Sequence, residues 1–205
     1  MADQQEQPPC RILCLIDAVA AGRIPNSRIV RLVVNRAKAY ATTRADRASI
    51  PWECFDLIGG GFLAKGERDG ARVREARGRY DAVLAQRVLA GSGDVRKKPE
   101  LVVLAGEKTG ELAAWIGEYN GAGAIERAFN DFKAGKMTRT GITVHYVTLE
   151  MDMGPPILVR EIEFREGEEL AQLEDRIHGH DHELIVEATA KVMGEILEAR
   201  AAKWD

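Results

Sequence analysis

A chain of 205 residues, 45% hydrophobic and 30% charged, is long enough to bury the core of one α/β domain and ordinary in composition for a globular protein. Its formal net charge of −3 exerts no global pull on nucleic acid, so a site for an anionic ligand must gather its positive groups locally. The three cysteines, Cys10, Cys14 and Cys54, cannot close a disulfide framework, and the Cys10–Cys14 spacing lacks the second pair that a structural zinc site needs. A reduced, cytoplasmic protein is the simpler reading.

The polar, proline-bearing start (MADQQEQPPC) has no basic region leading into an apolar run, which argues against a secretory signal. Residues 1–9 are expected to be a loose tail and residues 10–205 a single domain. No stretch approaches the roughly 18 apolar residues of a membrane span. Arg11–Ile16 (RILCLI) reads two ways: as a first strand, or, through Ile12, Leu15, Ile16 and Val19, as part of a helix. The strand is slightly preferred. Arg28–Asn35 (RIVRLVVN) and Leu101–Gly106 (LVVLAG) are apolar runs suited to parallel strands buried on both faces between helices. Between them, Val73, Tyr80, Val83, Leu84 and Val88 recur at near-helical spacing, which predicts a crossover helix over Gly70–Leu89. Ile58–Gly61 (IGGG) does not lead from a clear strand into a helix, so it reads as a connector and not as a phosphate loop. Gly91–Pro99 reads as a linker.

Ala122–Ala134 is a second amphipathic helix, built on Ile125, Ala128, Phe129 and Phe132. Ile142–Thr148 and Ile157–Phe164 are strand-like and flank a loop with two prolines, which predicts an antiparallel pair. A long helix follows from about Glu168 to about Ala202, with an apolar stripe of Leu170, Leu173, Ile177, Leu184, Ala188, Val192 and Ile196. Asp181 interrupts that stripe and points inward, where a carboxylate is costly unless something satisfies it.

All four histidines, His145, His178, His180 and His182, lie in the last third. The HGHDH run invites a metal reading, because His178 and His182 share a helical face with Asp181 between them. A helix-surface cluster with no further ligand is more often structural, and no metal is expected. His145 and Asp152 bracket a strand-to-loop passage. On their own they read as a satisfied strand histidine and a turn aspartate.

Thr140–Ile157 (TGITVHYVTLEMDMGPPI) resembles the signature of glycinamide ribonucleotide formyltransferases, G-x-x-V-H-x-V-x-x-x-x-D-x-G-x-x-I. The resemblance continues to Thr189 and is strongest to the monofunctional fungal type. Upstream, GRIPNSRIVRLVVNRAKAYATTRA, GGFLAKGERDG, RYDAVLAQ, PELVVLAG and GAIERAF follow the family's order, so most of the chain beyond Gly22 is covered. The resemblance implies an α/β fold of formyltransferase type: a Rossmann-like three-layer sandwich with a mostly parallel sheet, a late antiparallel strand and a long C-terminal helix.

It also implies formyl transfer from 10-formyltetrahydrofolate, as co-substrate, to the amine of glycinamide ribonucleotide in purine biosynthesis. The partners would be small molecules, with neither nucleic acid nor membrane involved. In the family an Asn donates to the developing oxyanion, a His supplies a proton, and an Asp keeps that His protonated. Asp152 matches the aspartate. Thr148, Leu149, Glu150, Met151 and Asp152 would form the pterin loop, and Arg77 would lie near the folate. His178, Gly179, His180 and Asp181 would line the ribonucleotide site, with Asp181 accepting from ribose hydroxyls.

Two stretches depart from the family pattern. RILCLID passes into AVAAGRIPNS with no Gly-rich loop to hold a phosphate on backbone N–H groups. After LVVLAG, residues Glu107–Tyr119 (EKTGELAAWIGEY) stand where Asn-x-His-Pro belongs, and no Asn-x-His occurs anywhere in the chain.

Overall fold

The computed structural model describes residues 11–90, 99–104, 123–147 and 154–202. They fall into two compact units, Ser27–Val102 and a second made of Met1–Asn26 with Val103–Asp205.

In the Ser27–Val102 unit, β1 (Leu32–Val34) and β2 (Trp52–Cys54) pair in parallel, Leu32 opposite Trp52 and Val34 opposite Cys54. A parallel pair needs a crossover, supplied here by α2 (Tyr40–Arg47). Small residues, Ala41, Thr42 and Ala45, form its buried face. Phe55 continues the ladder by donating to the Val34 carbonyl at 2.8 Å. The chain then turns on Asp56, whose carboxylate accepts from the N–H groups of Ile58 and Gly59. Gly60 is obligatory in this turn, because a Cβ there would stand 2.6 Å from the Asp56 carbonyl oxygen. Helix α3 (Gly70–Ala90) starts at Asp69, which caps the N–H groups of Ala71 and Arg72 at 2.9 Å each.

In the other unit, β3 (Arg139–His145) and β4 (Pro156–Glu163) form the expected antiparallel pair, preceded by α4 (Ala124–Lys133) and followed by α5 (Leu170–Ala201). One face of the hairpin carries Ile142 and Ile162, which meet Ala124, Ile125 and Ala128 of α4 and Leu173, Ile177 and Leu184 of α5 in a continuous core. Leu173 and Leu184 are its largest fully buried side chains, and each Leu→Ala truncation there would cost about 2–5 kcal/mol. The start of α5 is fixed by a reciprocal capping box between Glu169 and Gln172. Beside it Glu168, with its side chain 7% exposed, accepts two bonds from Arg176 at 2.9 and 2.7 Å.

Two expectations are corrected. Arg11–Ile16 is not a strand but the start of α1 (Arg11–Ala20), which packs on α5 with Leu15, Ile16 and Ala18 buried. Five or six apolar residues do not distinguish a buried strand from a helix face. The stop signal decides it: Gly22, at φ +71°, lets Arg23 donate back to the Ala18 carbonyl at 2.8 Å and close the helix. The LVVLAG run is likewise not a strand over its described residues, since 101–104 join no ladder and Leu104 is 61% exposed. The second parallel strand is β2 instead. Strand propensity expresses fit to a half-buried pleated surface and makes no strand where that surface is missing.

Candidate active site

The formyltransferase signature falls on the β3–β4 hairpin. Its ladder runs in register from Arg139 opposite Glu163 to Val144 opposite Leu158, then shifts so that His145 faces Pro156. The irregularity leaves Ile157 as the extra residue and bends the end of the pair, a device common where a strand end must be re-aimed. Beyond it, Tyr146 donates its backbone N–H to the Pro155 carbonyl at 3.0 Å. Gly154 lies against the Tyr146 carbonyl so closely that a Cβ would collide with it. His145 is half-buried, with Nδ1 3.0 Å from the Tyr146 carbonyl oxygen. The Nδ1–H tautomer donates there and makes Nε2 the acceptor. Thr148, Leu149, Glu150, Met151 and Asp152 lie outside the described residues, as does the segment 107–119.

On α5 the expected ribonucleotide residues are consecutive and point to different sides of the helix. His178 and Gly179 are exposed, His180 is half-buried, and Asp181 is buried at 8%. The inward carboxylate is therefore real: Asp181 sits in the stripe between Ile177 and Leu184, each 2% exposed. Asp181 and His182 are both engaged with neighbouring groups. Among the described residues no group of three or more His, Cys, Asp or Glu side chains is placed to hold a metal ion. One helical turn beyond, Arg160 of β4 reaches α5 and bonds both Glu187 oxygens at 2.8 Å and Glu183 at 3.2 Å. This bridge fixes the hairpin against α5. Sequence reading missed it, because which acid an arginine meets on another element is set by tertiary packing.

Arg77 lies in the other unit, exposed on α3. Its helix is held by an aromatic group that was also not foreseen. Tyr80 stacks on Phe55 at 4.8 Å between centroids, and Phe62 stands edge-on to both at 5.5 Å. The Tyr80 hydroxyl donates to the Phe55 carbonyl at 2.8 Å, and burial pushes its pKa above the usual 10. The Arg87 guanidinium lies 4.6 Å from the centre of the Phe55 ring and pairs with Glu53. With Tyr80 pinned, Arg77, three residues earlier, projects to solvent.

Residues 113–189 match the formyl transferase family, a stretch that spans α4, both strands of the hairpin and these residues of α5. The chain is 32% identical over 198 residues to the phosphoribosylglycinamide formyltransferase of Schizosaccharomyces pombe, covering 87% of this chain and 89% of that protein. The chain belongs to the phosphoribosylglycinamide formyltransferase family. The Saccharomyces cerevisiae phosphoribosylglycinamide formyltransferase is similar at 32% identity over 204 residues, covering 89% of this chain and 91% of that one. The fold agrees. The crystal structure of the phosphoribosylglycinamide formyltransferase from Bacillus halodurans aligns with TM-score 0.65 at 21% identity, covering 89% of each chain. Glycinamide ribonucleotide transformylase 1 from Symbiobacterium toebii aligns with TM-score 0.64 at 23% identity, covering 90% of this chain and 82% of that one. This member of the phosphoribosylglycinamide formyltransferase family departs from the motif set at two internal points, the Gly-rich loop and Asn-x-His, while it spans nearly the whole length of its fungal relatives.

Proposed function

We propose that this chain transfers the formyl group of 10-formyltetrahydrofolate to the amine of glycinamide ribonucleotide, a step of purine biosynthesis. The observation that carries the reading is the buried Asp181 in an otherwise apolar stripe, beside His178, Gly179 and His180 and within the family-matched stretch. Asp181 is engaged with a neighbouring group, and a carboxylate kept in an apolar stripe has a further use as an acceptor for ribose hydroxyls. The hairpin end with its bulge supports the assignment of residues 148–152 to the pterin, and Arg77 is assigned to the folate by its place in the family motif alone.

In the reaction the amine nitrogen attacks the formyl carbon and the carbonyl π pair moves to oxygen. Collapse of the tetrahedral intermediate then breaks the bond to N10, which takes up a proton. Asp152 is the carboxylate assigned to this centre. With no Asn-x-His in the chain, the oxyanion donor and the proton donor of the family are both missing. Together the two groups are worth several kcal/mol, so turnover is expected on the order of thousandfold or more below that of a chain carrying both. The reaction needs no metal, and a reduced cytoplasmic compartment suits a chain with three cysteines and no disulfide framework. The test is formation of formylglycinamide ribonucleotide by purified protein at high concentration. The missing Asn-x-His favours one second reading, a family member that binds folate without turnover; calorimetric binding of a folate analogue with no product would support it.

A further inference from the structure

The neck of the hairpin is fastened to α5 by a side-chain chain that the reaction does not account for. Tyr146, the first residue past β3, lies 41% exposed, and its hydroxyl donates to Glu195 Oε2 at 3.2 Å, across 49 residues of sequence. Lys191, one helical turn before Glu195, pairs with the other oxygen, Oε1. The same Tyr146 makes further contacts at the neck. Its N–H bonds the Pro155 carbonyl, its carbonyl faces His145 Nδ1, and Gly154 lies against that carbonyl. A bulge immediately before it has already broken the regular ladder, so backbone pairing alone sets the direction of the strand ends weakly there.

We propose that Tyr146, held by Glu195 and Lys191 of α5, is a positioning residue that fixes the geometry with which the chain leaves β3 at Val147 and returns at Gly154. This deepens the proposed function and rests on it in one respect: the intervening residues 148–152 are read as the pterin loop, so a loosened neck weakens folate binding and not ribonucleotide binding. The carboxylate is the joint of the device. Lys191 holds Glu195 ionised, with the carboxyl below its ordinary range and the ammonium above its own, and an ionised acceptor makes the stronger bond to a phenol.

Hydrogen exchange on the full chain, read by mass spectrometry, tests the neck without any ligand. Tyr146→Phe and Glu195→Ala should each speed exchange of the amides at 146–155 by roughly threefold, the double variant no more than either alone, with exchange over the first half of α5 unchanged. Glu195→Gln, which keeps an acceptor oxygen but loses the charge and the ion pair with Lys191, should fall between wild type and Glu195→Ala. In calorimetry, Tyr146→Phe should weaken binding of 10-formyltetrahydrofolate by a similar factor and leave glycinamide ribonucleotide binding unchanged. Unchanged exchange at 146–155 in Tyr146→Phe overturns the proposal, as does a rise spread evenly over the whole chain, and so does weakening of both ligands alike. If the wild-type protein binds no 10-formyltetrahydrofolate, the reading of residues 148–152 fails, and the exchange data still decide the neck.

Discussion

Replacing Arg176 with Met removes the cation that satisfies Glu168 and also the donor that holds the Glu163 carbonyl at 2.9 Å. The side chains of Glu168 and Arg176 are 7% and 15% exposed, so the carboxylate would stay largely buried without the cation that bonds it. Breaking a fully buried pair from one side costs about 3–5 kcal/mol, and the partial exposure here brings the expected loss at pH 7 to about 2–3 kcal/mol. Bonding to Arg176 holds the Glu168 pKa below its ordinary 4.5, against the opposing effect of burial. The pair's stabilisation is therefore complete above the unfolded value and is lost as pH falls through the folded one. In Arg176→Met the raising effect of burial on the Glu168 pKa is opposed only by the smaller lowering effects of Arg165, so lowering the pH protonates the carboxyl more readily and relieves the variant. Urea unfolding at pH 7 and pH 4 should show the gap between the two proteins narrowing by on the order of 1 kcal/mol at the lower pH. An equal gap at both pH values, or one below about 0.5 kcal/mol at pH 7, would refute the reasoning.

Gly154→Ala places a methyl group against the Tyr146 carbonyl and should open the hairpin neck, seen as loss of protection of the Tyr146 amide in hydrogen exchange. Tyr80→Phe deletes the bond to the Phe55 carbonyl and should cost about 1 kcal/mol in urea unfolding, and the component it removes from the ultraviolet titration of the wild type should ionise above the usual tyrosine value. Asp181→Asn keeps the side-chain volume and removes the charge. It should weaken glycinamide ribonucleotide binding at least about tenfold by calorimetry, as expected when a charged acceptor is lost, with little effect on folate.

What the sequence made legible follows from how long and how regular each signal is. The α5 stripe runs over seven apolar positions, so its one polar interruption, Asp181, could be located on the buried face before any coordinates. The hairpin was equally plain, because two β-rich runs, the second alternating from Glu161 to Phe164, flank a loop with two prolines. Helix α2 was missed because its buried face is Ala41, Thr42 and Ala45, residues that carry almost no hydrophobic contrast. Strand β2 is three residues long and includes a glutamate, too little for a period of two to register. Arg11–Ile16 failed for the opposite reason: its apolar content was clear, but the helix stop that decides its type lies beyond it at Gly22. The contacts that lock the candidate site in place were not legible at all. Arg160 with Glu183 and Glu187, Tyr146 with Glu195, and the Phe55–Phe62–Tyr80 group each join residues that only the fold brings together.

The central claim is that the chain still performs its family's transfer, with the Asn-x-His pair absent and Asp152 at the centre. Protein and both substrates should be mixed at equal, high concentration, and formylglycinamide ribonucleotide followed against a protein-free control. Slow product formation that exceeds the control is expected. Product at the control rate with the wild-type protein would contradict the claim.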